Sequence, residues 1–437
     1  MVSRRRFIEN GILLGSALAL WSFKPRAISF SGDEFDVPED LQKEMYNKAL
    51  ALAKLKIRGG SDHPVFKKPF LDAAFSESIF YWDTCFIATY AKYHQDELPI
   101  ANALDNFYDR MDTDGYICRE FRPDGTPFWP KNHPVSMNPP LLAFAELELF
   151  SIKKDEKRLA KVYPFLKKHF RYWVQTYQCP DKLFFSDAFG SGMDNIERYP
   201  FGWQDDKQGI PLVNLHPEIF LYDYLSSKWN KQGRSVDASA QMCLFADNMA
   251  AIAKIINQNA DIKYYTAFHE EVASAINQHC WNEEDGFYYD LGYGKQIKRK
   301  HIGMFWTLLG GVVPENKLDK FLAHLTNPGE FRTKIPVASF SADQPEYNPK
   351  GAYWLGSVWA PTNYMVLRGL SLYGKNDLAR EIAEQYYWAV AEVYKETGTF
   401  WENYAPADIS QGNQASKDFC GWTALVPITV LKEYITK

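Results

Sequence analysis

Signatures of several common enzyme classes are missing from this chain of 437 residues. It contains no G-x-S-x-G nucleophile elbow, no P-loop, no G-x-G-x-x-G and no H-E-x-x-H. Its nine histidines show no metal-ligand spacing, and Asp205, Asp206 and Asp285 belong to no spaced calcium-binding series. The sequence therefore gives no support for a serine hydrolase, a nucleotide-binding enzyme or a metalloenzyme, and we expect neither a cofactor nor a metal.

Cysteine is scarce and scattered. The six cysteines form no C-x-x-C motif and no cluster with histidine, so a zinc site is not expected. A chain of this size can bury enough apolar surface to fold without disulfides. We therefore predict mostly free, buried thiols.

Gly/Ser-rich and Pro-rich linkers are absent as well. With 46% hydrophobic and 24% charged residues, the composition is that of an ordinary globular protein, and we predict one large domain over residues 31–437. The net charge of -5 argues against nucleic acid or an anionic membrane as a partner. We expect a monomer that acts on a small molecule.

No apolar run is long enough for a secure membrane span. The segment SRRRFI at positions 3–8 precedes a short apolar stretch at 12–21. Basic residues followed by a short apolar stretch are typical of a signal peptide, and the consecutive arginines are those of a twin-arginine signal. We predict a signal peptide over residues 1–30, export to the periplasm or outside the cell, and no stable membrane insertion afterwards. A retained N-terminal anchor is the alternative.

Helical apolar spacing recurs along the chain, with little strand. It predicts helices over 41–56, 77–94, 100–111, 138–152, 159–177, 214–229, 236–257, 262–280, 301–309, 315–325, 353–373, 378–395 and 421–435. A short hairpin is expected around 287–290. Long loops follow every second helix, which predicts helical hairpins around a centre with the loops gathered at one end.

Two of these loops each carry one carboxylate among glycines or aromatics. They are GSGMDN at 190–195, with Asp194, and TFWENY at 399–404, with Glu402. Two isolated carboxylates suit cleavage of a glycosidic bond, because one can protonate the leaving oxygen while the other activates water or attacks the sugar. The alternatives are a loop-capping role for Asp194 and an ordinary surface position for Glu402.

Five segments carry a resemblance to a known family. They are YWDTCF at 81–86, NPPLLA at 138–143, SGMDN at 191–195, YWLGSVW at 353–359 with NY at 363–364, and WENY at 401–404 with FCGW at 419–422. In this order they resemble the helical-barrel glycosidases that include trehalases and glycoside hydrolase family 63. The chain is most similar to compact bacterial members such as mannosylglycerate and glucosylglycerate hydrolases.

The resemblance implies an all-α fold, the (α/α)6 barrel, and hydrolysis of an α-glycosidic bond with inversion. The substrate would be a small saccharide or oligosaccharide, with activity of the α-glucosidase or α-mannosidase type. The family's general acid falls on Asp194 and its general base on Glu402, and inversion requires roughly 6.5–9.5 Å between them. Two alternatives stay open: a non-catalytic carbohydrate-binding protein on this fold, and a polysaccharide lyase on a helical toroid.

Nine residues in these segments are candidates for contacting substrate. They are Tyr81, Trp82, Asp83, Asn138, Asn195, Tyr353, Trp354, Trp359 and Trp401. Asp83 is the anomaly in an apolar run, because a buried carboxylate needs partners. Trp354 and Trp359 can stack on a sugar or pack in the core.

The sequence departs from the family at several positions. Leu355 and Ser357 stand where arginine and proline are common, Asn138 where many members have glutamine, and Gly190 where an acidic residue is frequent. The identity of the sugar therefore cannot be inferred from the substrate of a relative. Arg119, Glu120 and Arg198 are further candidates for binding polar substrate, or they form ordinary ion pairs.

Overall fold

A computed structural model of the chain describes residues 35–73, 76–131, 136–196, 198, 233–413, 415–419 and 421–436. The described residues from Val37 onward belong to one compact unit. The predicted signal peptide, the predicted helix 214–229 and Cys420 lie outside the described residues, so those predictions stand untested, as does the domain boundary near residue 30.

The chain is predominantly helical, which confirms the all-α prediction. The α-helices are α1 (Glu39–Leu55), α2 (Tyr81–Ala91), α3 (Ile100–Asp109), α4 (Leu142–Lys153), α5 (Glu156–Tyr177), α6 (Ala188–Ser191), α7 (Val236–Ile255), α8 (Asn259–His279), α9 (Trp306–Leu309), α10 (Glu315–Thr326), α11 (Ala360–Leu372) and α12 (Asn376–Thr397). Turns of 3-10 helix cover Lys92–His94 and Ile302–Phe305, and a C-terminal π-helix covers Val426–Ile435.

The strands are two-residue pieces that pair antiparallel. They are β1 (Ile57–Arg58) with β2 (Phe70–Leu71), β3 (Ile79–Phe80) with β4 (Glu120–Phe121), β5 (Gly233–Arg234) with β8 (Leu291–Gly292), β8 with β9 (Lys295–Gln296), and β6 (Trp281–Asn282) with β7 (Phe287–Tyr288). The β6–β7 pair confirms the predicted hairpin.

Alternate helices form an inner ring. Along the chain α2, α4, α7, α9 and α11 each contact the next, and the π-helix contacts α2. All eleven residues of α2 are buried. The intervening helices, such as α5 and α12, bury one face and expose the other, as an amphipathic outer layer should. This arrangement matches the predicted hairpins around a centre.

Polar contacts tie the last inner helix to the first. The Thr429 hydroxyl donates to the Thr89 carbonyl at 3.1 Å. The Lys92 ammonium lies 2.5 Å from Glu148 of α4 and 2.6 Å from Glu433 of the π-helix. Tyr364 of α11 also donates to Glu433, at 2.9 Å. Side chains from α4, α11, the π-helix and the turn after α2 thus meet at one carboxylate–ammonium cluster.

Four predicted helices begin later than their apolar spacing indicates. Those expected from 138 and 421 begin at Leu142 and Val426, and backbone pairing accounts for the other two. The helix expected from 77 begins at Tyr81, because Ile79–Phe80 pair with Glu120–Phe121. The helix expected from 353 begins at Ala360, because Val358 is bridged to Tyr404. In both cases backbone pairing with a distant segment replaces the first helical turns.

The described cysteines agree with the prediction of free thiols. Cys85, Cys118, Cys179, Cys243 and Cys280 are buried and form no disulfide with one another. None of the helices in the described ranges combines the length and apolarity that crossing a bilayer requires.

Candidate active site

Asp194 lies in a turn that follows a very short helix. Asp187 caps α6 by accepting a hydrogen bond from the Gly190 amide at 2.6 Å. Gly192 then adopts a φ of 79°. A side chain there is also excluded by space, because a Cβ at Gly192 would lie 2.5 Å from the Trp82 ring. Glycine in this position thus allows the turn with Asp194 to approach α2.

The carboxyl of Asp194 is mostly buried, with its side chain 20% exposed, and it is incompletely partnered. Its Oδ1 lies 3.7 Å from the Arg119 guanidinium, which is an ion-pair distance rather than a direct hydrogen bond. That oxygen has no hydrogen-bond partner among the described residues. Burial raises the pKa of Asp194 to about 6, although Arg119 acts to lower it. The group can therefore hold a proton near neutral pH.

Glu402 lies in the loop after α12 and is also buried. Its Oε2 accepts a hydrogen bond from the Ser416 amide at 3.2 Å, and its backbone amide donates to the Ser416 carbonyl at 2.9 Å. Trp422 Nε1 donates to the Glu402 carbonyl at 3.1 Å. Burial, together with the charge of Asp194, raises the pKa of Glu402 to about 7, although the hydrogen bonds from Ser416 act to lower it. The two carboxyls are therefore close enough to interact.

Asp83 brings a third carboxyl from α2. Burial raises its pKa to about 8; Arg119 lowers the pKa, and the charges of Asp194 and Glu402 raise it. The sequence predicted that a buried carboxylate at Asp83 would need partners. With a pKa of about 8, Asp83 is instead largely protonated, and so uncharged, at neutral pH. Asp83 thus lies within electrostatic reach of Arg119, Asp194 and Glu402.

Asn195 connects the Asp194 turn to the loop before α11. Its Nδ2 donates to the Ala352 carbonyl, and its Oδ1 accepts from the Trp354 amide, both at 2.9 Å. Between those two residues, the Tyr353 hydroxyl hydrogen-bonds to Glu402 and lowers its pKa. The amide of Asn195 is thus used within the protein, although the sequence placed it among the substrate contacts.

Four tryptophans form the wall beside these carboxyls. The rings of Trp354 and Trp359 stack at 4.1 Å with an interplanar angle of 4°. Trp82 lies 6.1 Å from Trp354, and Trp422 lies edge-on to both Trp82 and Trp359. Trp354 is 1% exposed and Trp359 is 0% exposed. The structure therefore favours core packing over sugar stacking for Trp354 and Trp359.

The remaining predicted contacts fall in different surroundings. The Tyr81 hydroxyl lies 3.1 Å from Nε2 of the buried His169, so its polar group is used in the core. Trp401 is partly exposed, and its Nε1 donates to Thr397 at 3.2 Å. Asn138 is buried and its Nδ2 has no partner among the described residues. Of these three, Asn138 retains the free donor that a sugar hydroxyl requires.

Several groups around the carboxyls were missed or given another role by the sequence. Ser416 is fourteen residues from Glu402 and no local pattern marks it. Asp187 carries a signal that a search for N-caps could have found, since aspartate is favoured there. Arg119, expected either to bind substrate or to form an ion pair, lies at ion-pair distance from Asp194. Arg198 instead forms a buried ion pair with Asp237 and Asp290.

A metal site is not apparent in the described part of the chain. No group of three or more His, Cys, Asp or Glu side chains is arranged there to hold an ion. A surface cavity of about 390 Å³ lies elsewhere, between α4 and α5. Its Glu146 carboxylate is engaged by Arg158 and Tyr108, so it offers no free catalytic group.

Comparisons with known proteins agree with this geometry. The chain matches the mannosylglycerate hydrolase MGH1-like glycoside hydrolase domain over residues 78–423. An uncharacterised protein of Borreliella burgdorferi is 23% identical, with 90% of this chain and 79% of that protein covered. A periplasmic trehalase of Salmonella dublin is 24% identical over 81% of this chain, and the chain spans only 66% of the trehalase.

A solved structure shares the fold. The GH63 mannosylglycerate hydrolase from Thermus thermophilus, in complex with glucose, matches with a TM-score of 0.70 at 19% identity, covering 88% of this chain and 99% of that one. This likeness supports the predicted (α/α)6 barrel. Because the family match spans most of the chain and includes the segments of Asp83, Asp194 and Glu402, the chain belongs to the mannosylglycerate hydrolase MGH1-like glycoside hydrolase domain family and is a glycosidase.

Proposed function

We propose that the chain is an inverting α-glycosidase in which Asp194 is the general acid and Glu402 the general base. One observation carries this proposal. Two mostly buried carboxyls come from distant parts of the sequence, the charge of Asp194 acts on Glu402, and their pKa values of about 6 and about 7 let the pair share one proton near neutral pH. Inverting glycosidases need such a pair, one member protonated and the other ionised.

The proposed reaction moves one proton in each direction. Protonated Asp194 donates to the glycosidic oxygen as the bond to the anomeric carbon breaks. Water attacks that carbon from the opposite face and gives its proton to Glu402, so the products are the inverted sugar and the free aglycone. Because the pKa of Glu402 lies above that of Asp194, the productive form with the proton on Asp194 is the less populated one. The Ser416 amide and the Tyr353 hydroxyl lower the pKa of Glu402 and so increase the share of that form.

Two further groups are suited to holding the sugar. Asp83, with a pKa of about 8, can donate its proton in a hydrogen bond to a sugar hydroxyl at neutral pH. Asn138 Nδ2 is a buried donor without a protein partner in the described ranges. A bound hydroxyl at each group would satisfy polar atoms that are otherwise costly to bury.

The substrate class proposed is a small α-linked glucoside or mannoside. Relatives of the chain are named for mannosylglycerate and for trehalose, which supports a short substrate with one sugar in the central site. We also propose export, since the Salmonella relative is named periplasmic and the first residues fit a twin-arginine signal. A monomer remains our expectation. Membership of a glycoside hydrolase family sets aside the lyase and the non-catalytic alternative.

Replacing each carboxyl by its amide tests the assignment. Asp194→Asn and Glu402→Gln should each lower kcat on α-linked gluco- and manno-disaccharides by at least about 10²-fold, because general acid–base catalysis contributes 10²–10⁴-fold. Asp319→Asn, whose side chain is 91% exposed, is the matched control and should keep wild-type kcat. Hydrolysis that survives both site changes would remove the assignment.

Proton NMR of the first-formed sugar tests the stereochemistry. We expect the β-anomer to appear first from an α-linked substrate and to mutarotate afterwards. An α-anomer formed first would contradict a mechanism in which water lies between the two carboxyls.

A further inference from the structure

We propose that Asn195 is a positioning residue that sets the distance between Asp194 and Glu402; this inference rests on the proposed function of those two carboxyls. Inversion leaves space for one water between the acid and the base, so the separation must be held within narrow limits. Asp194 and Glu402 lie on loops that are far apart in sequence. A direct connection between these loops is therefore required, and Asn195 provides its first part.

Asn195 binds the main chain on both sides of Tyr353. Its amide nitrogen donates to Ala352, and its amide oxygen accepts from Trp354. Both bonds are 2.9 Å long and bridge more than 150 residues of sequence. Because Asn195 directly follows Asp194, these bonds fasten the turn of the proposed acid to the loop at 350–358.

Tyr353 has an unusual backbone conformation that the two Asn195 hydrogen bonds support. Its φ is 59°, in the left-handed region that bulky residues rarely adopt. The two Asn195 bonds hold the residues before and after it. Trp359 packs edge-on to the Tyr353 ring at 4.9 Å, and its Nε1 donates to the Tyr353 carbonyl at 3.4 Å. The conformation is thus fixed from three directions.

The same loop is paired with the loop of Glu402. Val358 and Tyr404 exchange backbone hydrogen bonds of 2.8 and 3.0 Å, and the Asn413 amide donates to the Lys350 carbonyl at 3.0 Å. The Tyr353 hydroxyl also acts on Glu402, since it lowers the pKa of that carboxyl. A continuous set of bonds therefore runs from the Asp194 turn through Asn195 and the 350–358 loop to the chain that follows Glu402.

The experiment compares Asn195→Ala, Tyr353→Phe and the double variant on the full chain. Each single change should lower kcat by about 10–100-fold, since a displacement of about 1 Å costs up to 10²-fold. KM should change less than kcat. Loss of the Tyr353 hydrogen bond raises the pKa of Glu402, so the pH optimum should move to higher pH in both single variants.

The double variant distinguishes positioning from general destabilisation. If Asn195 acts through Tyr353, the double variant should have a kcat close to that of the more damaged single variant. Multiplied losses in kcat, or a wild-type pH optimum in Asn195→Ala, would overturn the proposal.

Asn277→Ala is the matched control. Asn277 also makes several side-chain hydrogen bonds, to Ala273 and Val312 through Nδ2 and from Tyr288 to Oδ1, but it lies on the outer helix α8. We expect a lower Tm with wild-type kcat and pH optimum.

A second variant, Asn195→Ser, keeps the proposal testable if Asn195→Ala does not fold. Asn195→Ser keeps a small polar group, and we expect it to show the same loss of kcat and the same rise in the pH optimum. A wild-type pH optimum in Asn195→Ser or in Tyr353→Phe would also overturn the proposal. The proposed acid–base roles fail separately, if Asp194→Asn and Glu402→Gln stay active. In that case the Tm values of Asn195→Ala, Tyr353→Phe and the double variant still test the connection. We expect the two changes in Tm to be non-additive, and additive changes would contradict a connection from Asn195 to Tyr353.

Discussion

Asp83, Asp194 and Glu402 carry similar groups in one buried region, but their surroundings give them different proton affinities. Burial raises the pKa of each, to about 8, about 6 and about 7 respectively. Arg119 lowers the pKa of Asp83 and Asp194, whereas Ser416 lowers that of Glu402. Because the groups interact, they titrate as a set rather than one by one. The environment thus distributes protons among carboxyls of the same chemical type.

Arg119→Gln should move the pH optimum of hydrolysis to higher pH. Activity requires one proton on the Asp194–Glu402 pair, so it falls as both become protonated below about pH 6 and as both ionise above about pH 7. Removing Arg119 raises the pKa of Asp194. The pH optimum lies midway between the pKa values of Asp194 and Glu402, so it rises as well. An opposite charge at this range lowers the pKa of a carboxyl by about 1–3 units. Its removal should therefore raise the optimum of the kcat/KM profile by half as much, about 0.5–1.5 pH units.

Arg122→Gln provides the control for Arg119. Arg122 lies in the same segment but donates to Pro127 at 3.1 Å and stacks on Phe128, with no ion pair to Asp194 recorded among the described residues. Its variant should keep the wild-type optimum. An equal movement in both variants would mean that general surface charge, not the Arg119 contact, controls the profile.

At the scale of the element, the two helices that begin with an aspartate cap serve different purposes. Asp155 caps the 22-residue helix α5 through the Arg158 amide at 3.0 Å. Asp187 caps the four-residue helix α6 through the Gly190 amide. A long helix keeps its structure through packing when one cap is lost, whereas a single turn depends on it. The cap of α6 therefore controls where the chain enters the Asp194 turn.

Asp187→Ala should lower kcat by about tenfold or more and reduce stability, because α6 no longer holds the turn before Asp194. Asp155→Ala should cost about 0.5–2 kcal/mol in urea unfolding and leave kcat unchanged. Asp187→Asn keeps a good capping group and should retain most of the activity. Equal kcat values for Asp187→Ala and Asp155→Ala would show that the α6 cap has no special role.

On the scale of the whole molecule, the inner helices are joined by charge as well as by apolar packing. Lys92, 4% exposed at its side chain, pairs with Glu148 and Glu433. Arg368 adds a second cation to Glu148 at 2.8 Å. These residues come from α4, α11, the π-helix and the turn after α2. Since the π-helix follows all the other helices in sequence, this cluster forms only when the chain is complete.

Lys92→Met should destabilise the fold by about 3–5 kcal/mol, because it leaves buried carboxylates without their ammonium partner. Lys54→Met is the comparison. Lys54 pairs with Glu97 on the surface, where the side chains are 44% and 46% exposed, so its loss should cost at most about 1 kcal/mol. Chemical unfolding of both variants measures the difference. A cost for Lys92→Met no larger than that for Lys54→Met would mean that the cluster does not hold the ring together.

Local sequence patterns accounted for most of the helices. Apolar spacing placed α1, α8 and α12 within a few residues of their observed ends, because each buries one face along its whole length. The same reasoning misplaced the starts of α2 and α11. Ile79–Phe80 and Val358 are apolar enough to continue a helix, yet they pair with residues about 40 positions or more away. Local propensity cannot anticipate such pairing.

By itself the sequence determined the helical class and singled out the two loops with Asp194 and Glu402, because helical periodicity and glycine-bounded turns are local properties. Only the tertiary structure decided what surrounds those carboxyls: Arg119 beside Asp194, Ser416 on Glu402, and Asn195 on the loop of Tyr353. It also decided that Trp354 and Trp359 stack on each other. Burial and charge depend on residues that are distant in sequence, and they set proton affinity, so the chemistry of the site emerges only when the barrel brings its loops together.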